Sequence, residues 1–110
     1  MIYGIIDEDP EWGEKCVTNL SNSLGELLHK ISNFYYCKEG LKTISDYKIV
    51  KCSYYNSWKD IKSDTHEYFP EIEPFLWSTK GWYPVDKFKI KQLCVKLNYN
   101  YANSKNYKQI

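Results

Sequence analysis

A chain of 110 residues, 43% hydrophobic and 17% aromatic, has enough apolar matter for one folded core and too much for a disordered segment. Its formal net charge of +1 excludes a strong overall field towards nucleic acid or membrane, and no apolar run reaches the ~18 residues of a membrane span. The N-terminus lacks the basic and apolar regions of a secretory signal. The expectation is a cytoplasmic protein of one domain, 1–110, with 102–110 as a frayed tail.

Met1 to Ile6 is a short apolar run suited to a strand. Asp9-Pro10 then predicts a helix start, with Asp9 as cap, Pro10 in the first helical position, and Glu11 and Glu14 complementing the dipole. Val17, Leu20, Leu24, Leu27, Leu28, Ile31, Phe34 and Tyr35 recur at three- and four-residue intervals, the pattern of a long amphipathic helix. Cys16 falls on that pattern. Ser21-Asn22-Ser23 weakens its middle, and Ser23 with Glu26 forms a capping box, so the helix is allowed a break near 21–25. Gly40 is its terminator.

Tyr47 to Tyr55, rich in β-branched and aromatic residues, predicts a strand. Ser57 to Asp60 predicts a capped helical turn, and Pro70 and Pro74 break 64–76 into irregular structure. Phe75 to Tyr83, with Gly81 in its turn, predicts a hairpin. Val85 to Tyr101 alternates in two phases and predicts strand structure, with a phase slip near Lys91-Gln92 that implies a bulge or a turn between two strands. The fold class is α+β: an N-terminal strand and a long helix packed on a mainly antiparallel sheet.

Charge is unevenly placed. Asp7, Glu8, Asp9, Glu11 and Glu14 face no base within the first 14 residues, whereas Lys80, Lys87, Lys89, Lys91, Lys96, Lys105 and Lys108 face only Asp86 after residue 79. Every base is lysine, which disfavours bidentate recognition of guanine or phosphate. It also fits the bias of an AT-rich genome. The four cysteines, Cys16, Cys37, Cys52 and Cys94, have no C-x2-C spacing and read as reduced thiols, Cys52 and Cys94 on strands.

Catalytic chemistry is thinly represented. Asp7 and Asp9 could hold a hard cation, and Asp46-Tyr47-Lys48 has the acid-x-Lys spacing of half a metal-dependent nuclease core, with the acidic N-terminus as the only source of a facing acid. His66 lies between Asp64 and Glu67 without a nucleophile, and His29 sits at the margin of the helical apolar face. There is no Gly-rich phosphate loop. These residues predict neither an enzyme nor a metal or cofactor site.

The strongest functional signal is aromatic. Four Trp and 11 Tyr exceed what one small core needs, and Tyr and Trp anchor protein interfaces. Trp58, Tyr68, Trp77 and Trp82 interleave with Asp60, Asp64, Glu67, Glu71 and Glu73, a mixture that places anchors in a negative field. The expectation is therefore a protein-binding inhibitor of a basic partner, most simply a bacterial immunity protein that occludes the active site of a nuclease-type toxin. Rival expectations are a phage-encoded inhibitor of a host defence enzyme and a small nucleic-acid-binding module using Lys87, Lys89, Lys91 and Lys96. The near-neutral total disfavours nucleic acid as partner.

Overall fold

The computed structural model describes residues 1–9, 14–53 and 81–102. Strands Ile2–Asp9 (β1) and Glu14–Ser21 (β2) pair antiparallel. Helices Leu24–Ser32 (α1) and Tyr35–Lys38 (α2) follow, then a 3-10 turn over Ile44–Asp46. Strand Ile49–Cys52 (β3) returns along β1, the short Tyr83–Pro84 (β4) pairs with β3, and helix Lys87–Leu97 (α3) comes last. The sheet order is β2-β1-β3-β4, with antiparallel pairing throughout. The chain is thus α+β with an antiparallel sheet, as its residues predict.

Strand alternation sends side chains to two faces, and both are covered. Ile5 and Ile49 point to the helical side, where they meet Leu27, Leu28 and Ile31 of α1, Ile44, Val85, and Ile90 and Cys94 of α3. Ile2, Val17, Leu20, Val50 and Cys52 point the other way and close around Trp82. Sealing both faces explains why the strands read as apolar runs rather than half-polar alternations.

Two sequence expectations are corrected. No helix begins at Asp9: that residue ends β1, and Val17 and Leu20 lie on β2, so the long helix reduces to nine residues of α1 and four of α2. Cys16 accordingly lies on a strand. The cause is a β-bulge. Between the pairs Tyr3↔Ser21 and Ile5↔Thr18, Gly4 alone faces both Asn19 and Leu20. Residues three apart on a regular strand point to opposite faces; the extra residue restores Leu20 to the face of Val17 and imitates a helical interval. Asn19 takes the left-handed φ of +57° that the bulge uses, which asparagine tolerates better than most residues.

The second correction concerns the strand structure expected over 85–101, where Lys87–Leu97 forms helix α3 instead. Cys94 is helical with it, whereas Cys52 is on a strand as expected. Asp86 caps α3 by accepting the Phe88 backbone N–H at 3.0 Å, and Asn98 ends it in a left-handed turn at φ 62°. Ile90 and Cys94, four residues apart, face the core. The capping expectation for α1 holds: Ser23 Oγ accepts the Glu26 N–H at 3.1 Å, and the Glu26 carboxylate accepts the Asn22 N–H at 2.8 Å.

The expectations for Pro10, the capped turn at 57–60, the irregular segment at 64–76, most of the 75–83 hairpin and the 103–110 tail lie outside the described residues. No helix among the described residues is long and apolar enough to cross a membrane.

Candidate protein-binding face

The residues between α1 and β3 build an exposed aromatic surface. Phe34 precedes α2 in an extended conformation and turns inward, where its ring meets Tyr47 edge-on at 5.5 Å. That inward turn leaves the next two rings outside: Tyr35 is 68% and Tyr36 51% exposed, 5.6 Å apart. Gly40, at φ +73°, reverses the chain as the expected terminator, and the Tyr36 carbonyl accepts both Leu41 N–H at 2.8 Å and Lys42 N–H at 3.1 Å. The turn sets Leu41 outside as well, 66% exposed.

Lys42 occupies the centre of this face. Its ammonium lies 5.3 Å from the Tyr36 ring centroid and 5.6 Å from that of Tyr47, close enough for cation–π attraction to both. Shallow clefts open on either side. One, of about 340 Å³, is lined by Asp7, Thr18, Phe34, Lys42, Asp46 and Tyr47 among others. The other, of about 350 Å³, includes Ser32, Cys37, Gly40, Lys42, Asn98 and Tyr99. Projecting rings beside concavities offer a partner both anchors and sockets.

The first cleft also gathers the acid-x-Lys residues: Asp7, Asp46 and Lys48 all line it. Asp46, however, already serves the fold. Its Oδ2 accepts the Thr43 N–H at 2.8 Å, completing a capping box on the 3-10 turn. Among the described residues no group of three or more His, Cys, Asp or Glu is placed to hold a metal ion. His29 is a tie between elements, with Nδ1 2.9 Å from the Tyr99 hydroxyl and its backbone carbonyl accepting Asn33 Nδ2–H at 2.8 Å.

None of the four cysteines forms a disulfide. Burial raises the Cys94 thiol, and burial raises that of Cys37 against the lowering effect of its hydrogen bond with Tyr47. Protonated thiols are poor nucleophiles. The Tyr47 phenol is pushed up to about 12, first by burial and then by the neighbouring Cys37. All three groups therefore hold their protons more tightly when folded. The stability that Tyr47 contributes is whole below pH 10, the ordinary value of its phenol, and is lost as pH rises towards about 12. Melting temperatures of the native chain and of Tyr47→Phe should converge over that interval. Parallel curves would contradict the assignment.

Of the aromatic and acidic residues singled out in the sequence, Trp58, Asp60, Asp64, Glu67, Tyr68, Glu71, Glu73 and Trp77 lie outside the described residues, as does His66. Trp82 is described and lies in the core, 8% exposed among Ile2, Val17, Leu20, Val50 and Cys52. The exposed pair Tyr35-Tyr36 escapes sequence reading because Tyr35 continues the three- and four-residue spacing of α1. The available signal was the helix break at Asn33-Phe34 with Gly40 beyond it. Compared with protein-family models, curated proteins and solved structures, the chain finds no match.

Proposed function

We propose that the chain is a protein-binding inhibitor that works in the cytoplasm, of the bacterial immunity kind, and occludes the active site of a basic nuclease-type toxin. The observation that carries the reading is the Tyr35-Tyr36-Leu41 face: three large side chains held outside by a capped turn, beside two clefts. Tyrosine is a favoured interface anchor, since it brings a large rigid ring and a polar tip at small entropic cost.

The acidic residues supply the second half of the reading. Asp60, Asp64, Glu67, Glu71 and Glu73 would take the positions of substrate phosphates in a cationic toxin site, and Trp58 or Trp77 would anchor the contact. Inhibition is then steric and electrostatic, with no bond made or broken.

Electrostatic steering raises association rates by roughly 10- to 1,000-fold. Converting the five acids to Asn or Gln should therefore slow association with a partner isolated on the immobilised chain about tenfold or more at low salt. The remaining rate should depend less on salt. Unchanged kinetics and an unchanged salt dependence would remove the electrostatic part of the proposal.

A further inference from the structure

Helix α3 carries two faces, and only one is used by the fold. At 3.6 residues per turn, Ile90 and Cys94 point to the core, while Phe88, Gln92 and Val95, spaced by four and three, share the opposite side. Phe88 is 63% and Val95 83% exposed. Lys91 borders this stripe on one flank, and Lys89 and Lys96 on the other, all exposed. Asp86, the sole acid adjoining the helix in sequence, is turned back onto the Phe88 N–H as the cap. Among the described residues no carboxylate forms an ion pair with these three lysines.

A solvated helix face explains the lysines but not Phe88 and Val95. Single exposed apolar residues are ordinary, yet these two lie on one stripe with cations on either side. That pattern points to a partner that is negative and also has an apolar surface.

We propose that this face of α3 binds single-stranded nucleic acid, with a base stacked on Phe88 and phosphates held by Lys89, Lys91 and Lys96. Lysine is a point charge that attracts phosphate without demanding bidentate geometry, and an exposed phenyl ring stacks on any base. A membrane surface would call for a broader apolar face than two residues provide. The near-neutral total charge is no obstacle, because charges beyond ~8 Å are largely screened at physiological salt. Among the described residues, the lysines beside the stripe carry the charge of this face.

The test is fluorescence anisotropy of labelled oligothymidylate with the purified full chain, at a series of salt concentrations, with a labelled duplex in parallel. Three phosphate contacts predict that log K falls linearly with log salt at a slope of about −2. Phe88→Ala should weaken binding about tenfold, and Lys89→Gln/Lys96→Gln should weaken it and flatten the slope by about one unit or more. Lys91 is retained in that variant because it lies 5.5 Å from the Tyr101 ring. All three substituted positions are exposed, so unchanged circular dichroism should accompany the loss. Absence of oligothymidylate binding at low salt, binding indifferent to the variants, or preference for duplex with no effect of Phe88→Ala would each overturn the proposal.

Discussion

Trp82→Ala is expected to lower the unfolding free energy by about 3–5 kcal/mol, the usual cost of truncating a buried large aromatic. Trp82 is 8% exposed and is the largest member of the core on the sheet face away from the helices. It shares that core with Ile2 of β1, Val17 and Leu20 of β2, and Val50 and Cys52 of β3, so its removal leaves a cavity in a core to which three strands contribute. Domains of this size have only about 5–15 kcal/mol in hand, so the variant should melt many degrees lower or fail to accumulate. The measurement is urea unfolding followed by near-ultraviolet circular dichroism. If Trp82 were instead an interface anchor, the same substitution would leave stability within about 0.5 kcal/mol and show its effect only on binding. That outcome would contradict the core assignment.

Gly4→Ala should cost about 1–3 kcal/mol, although it adds one methyl group. A Cβ at Gly4 would stand 2.5 Å from Val17 Cγ1 and 3.1 Å from the Thr18 carbonyl oxygen. The first contact is with a side chain that is itself fully buried, and the second is with backbone. Neither can yield without moving the bulge that sets the β1–β2 register. Combining Gly4→Ala with Val17→Ala removes the nearer clash, so the double variant should be more stable than the sum of the single effects predicts. Contacting residues commonly couple by about 0.5–3 kcal/mol. Strict additivity would show that the close approach is not what excludes a side chain at this position.

These two positions also mark how far local rules reach in this chain. The Ser23–Glu26 cap, the Gly40 terminator and strands β1 and β3 are decided by residues within a few positions of one another, and each is legible in the sequence. The identity of β2 is not, because a bulge inserts one residue and gives Val17 and Leu20 a helix-like interval. Helix α3 is hidden for a different reason. Its outward stripe carries Phe88 and Val95, so lysine and apolar residues alternate through 87–91 in the manner of a half-buried strand. An apolar residue kept outside misleads any reading that assumes every apolar residue faces a core.

The candidate face was concealed by the same mechanism. Tyr35 keeps the spacing of the α1 core positions but lies beyond the break at Asn33-Phe34, where the chain direction changes and the ring emerges. Trp82 errs the other way. Its neighbours in sequence, Gly81 and Tyr83, are exposed, while its own ring is taken by a core assembled from three strands. Composition counts aromatic residues without telling the buried from the presented.

Protein binding through the presented Tyr35 and Tyr36 is tested most directly by one comparison. The native chain and a Tyr35→Ser/Tyr36→Ser variant would be immobilised side by side and exposed to an extract of the native host, and the eluates compared. Both tyrosines are largely exposed, so the variant should keep its melting temperature within a few degrees. The expected result is a single stoichiometric basic protein on the native chain, strongly depleted on the variant, whose nuclease activity the native chain suppresses. No stoichiometric protein on the native chain, or equal recovery on both, would contradict it.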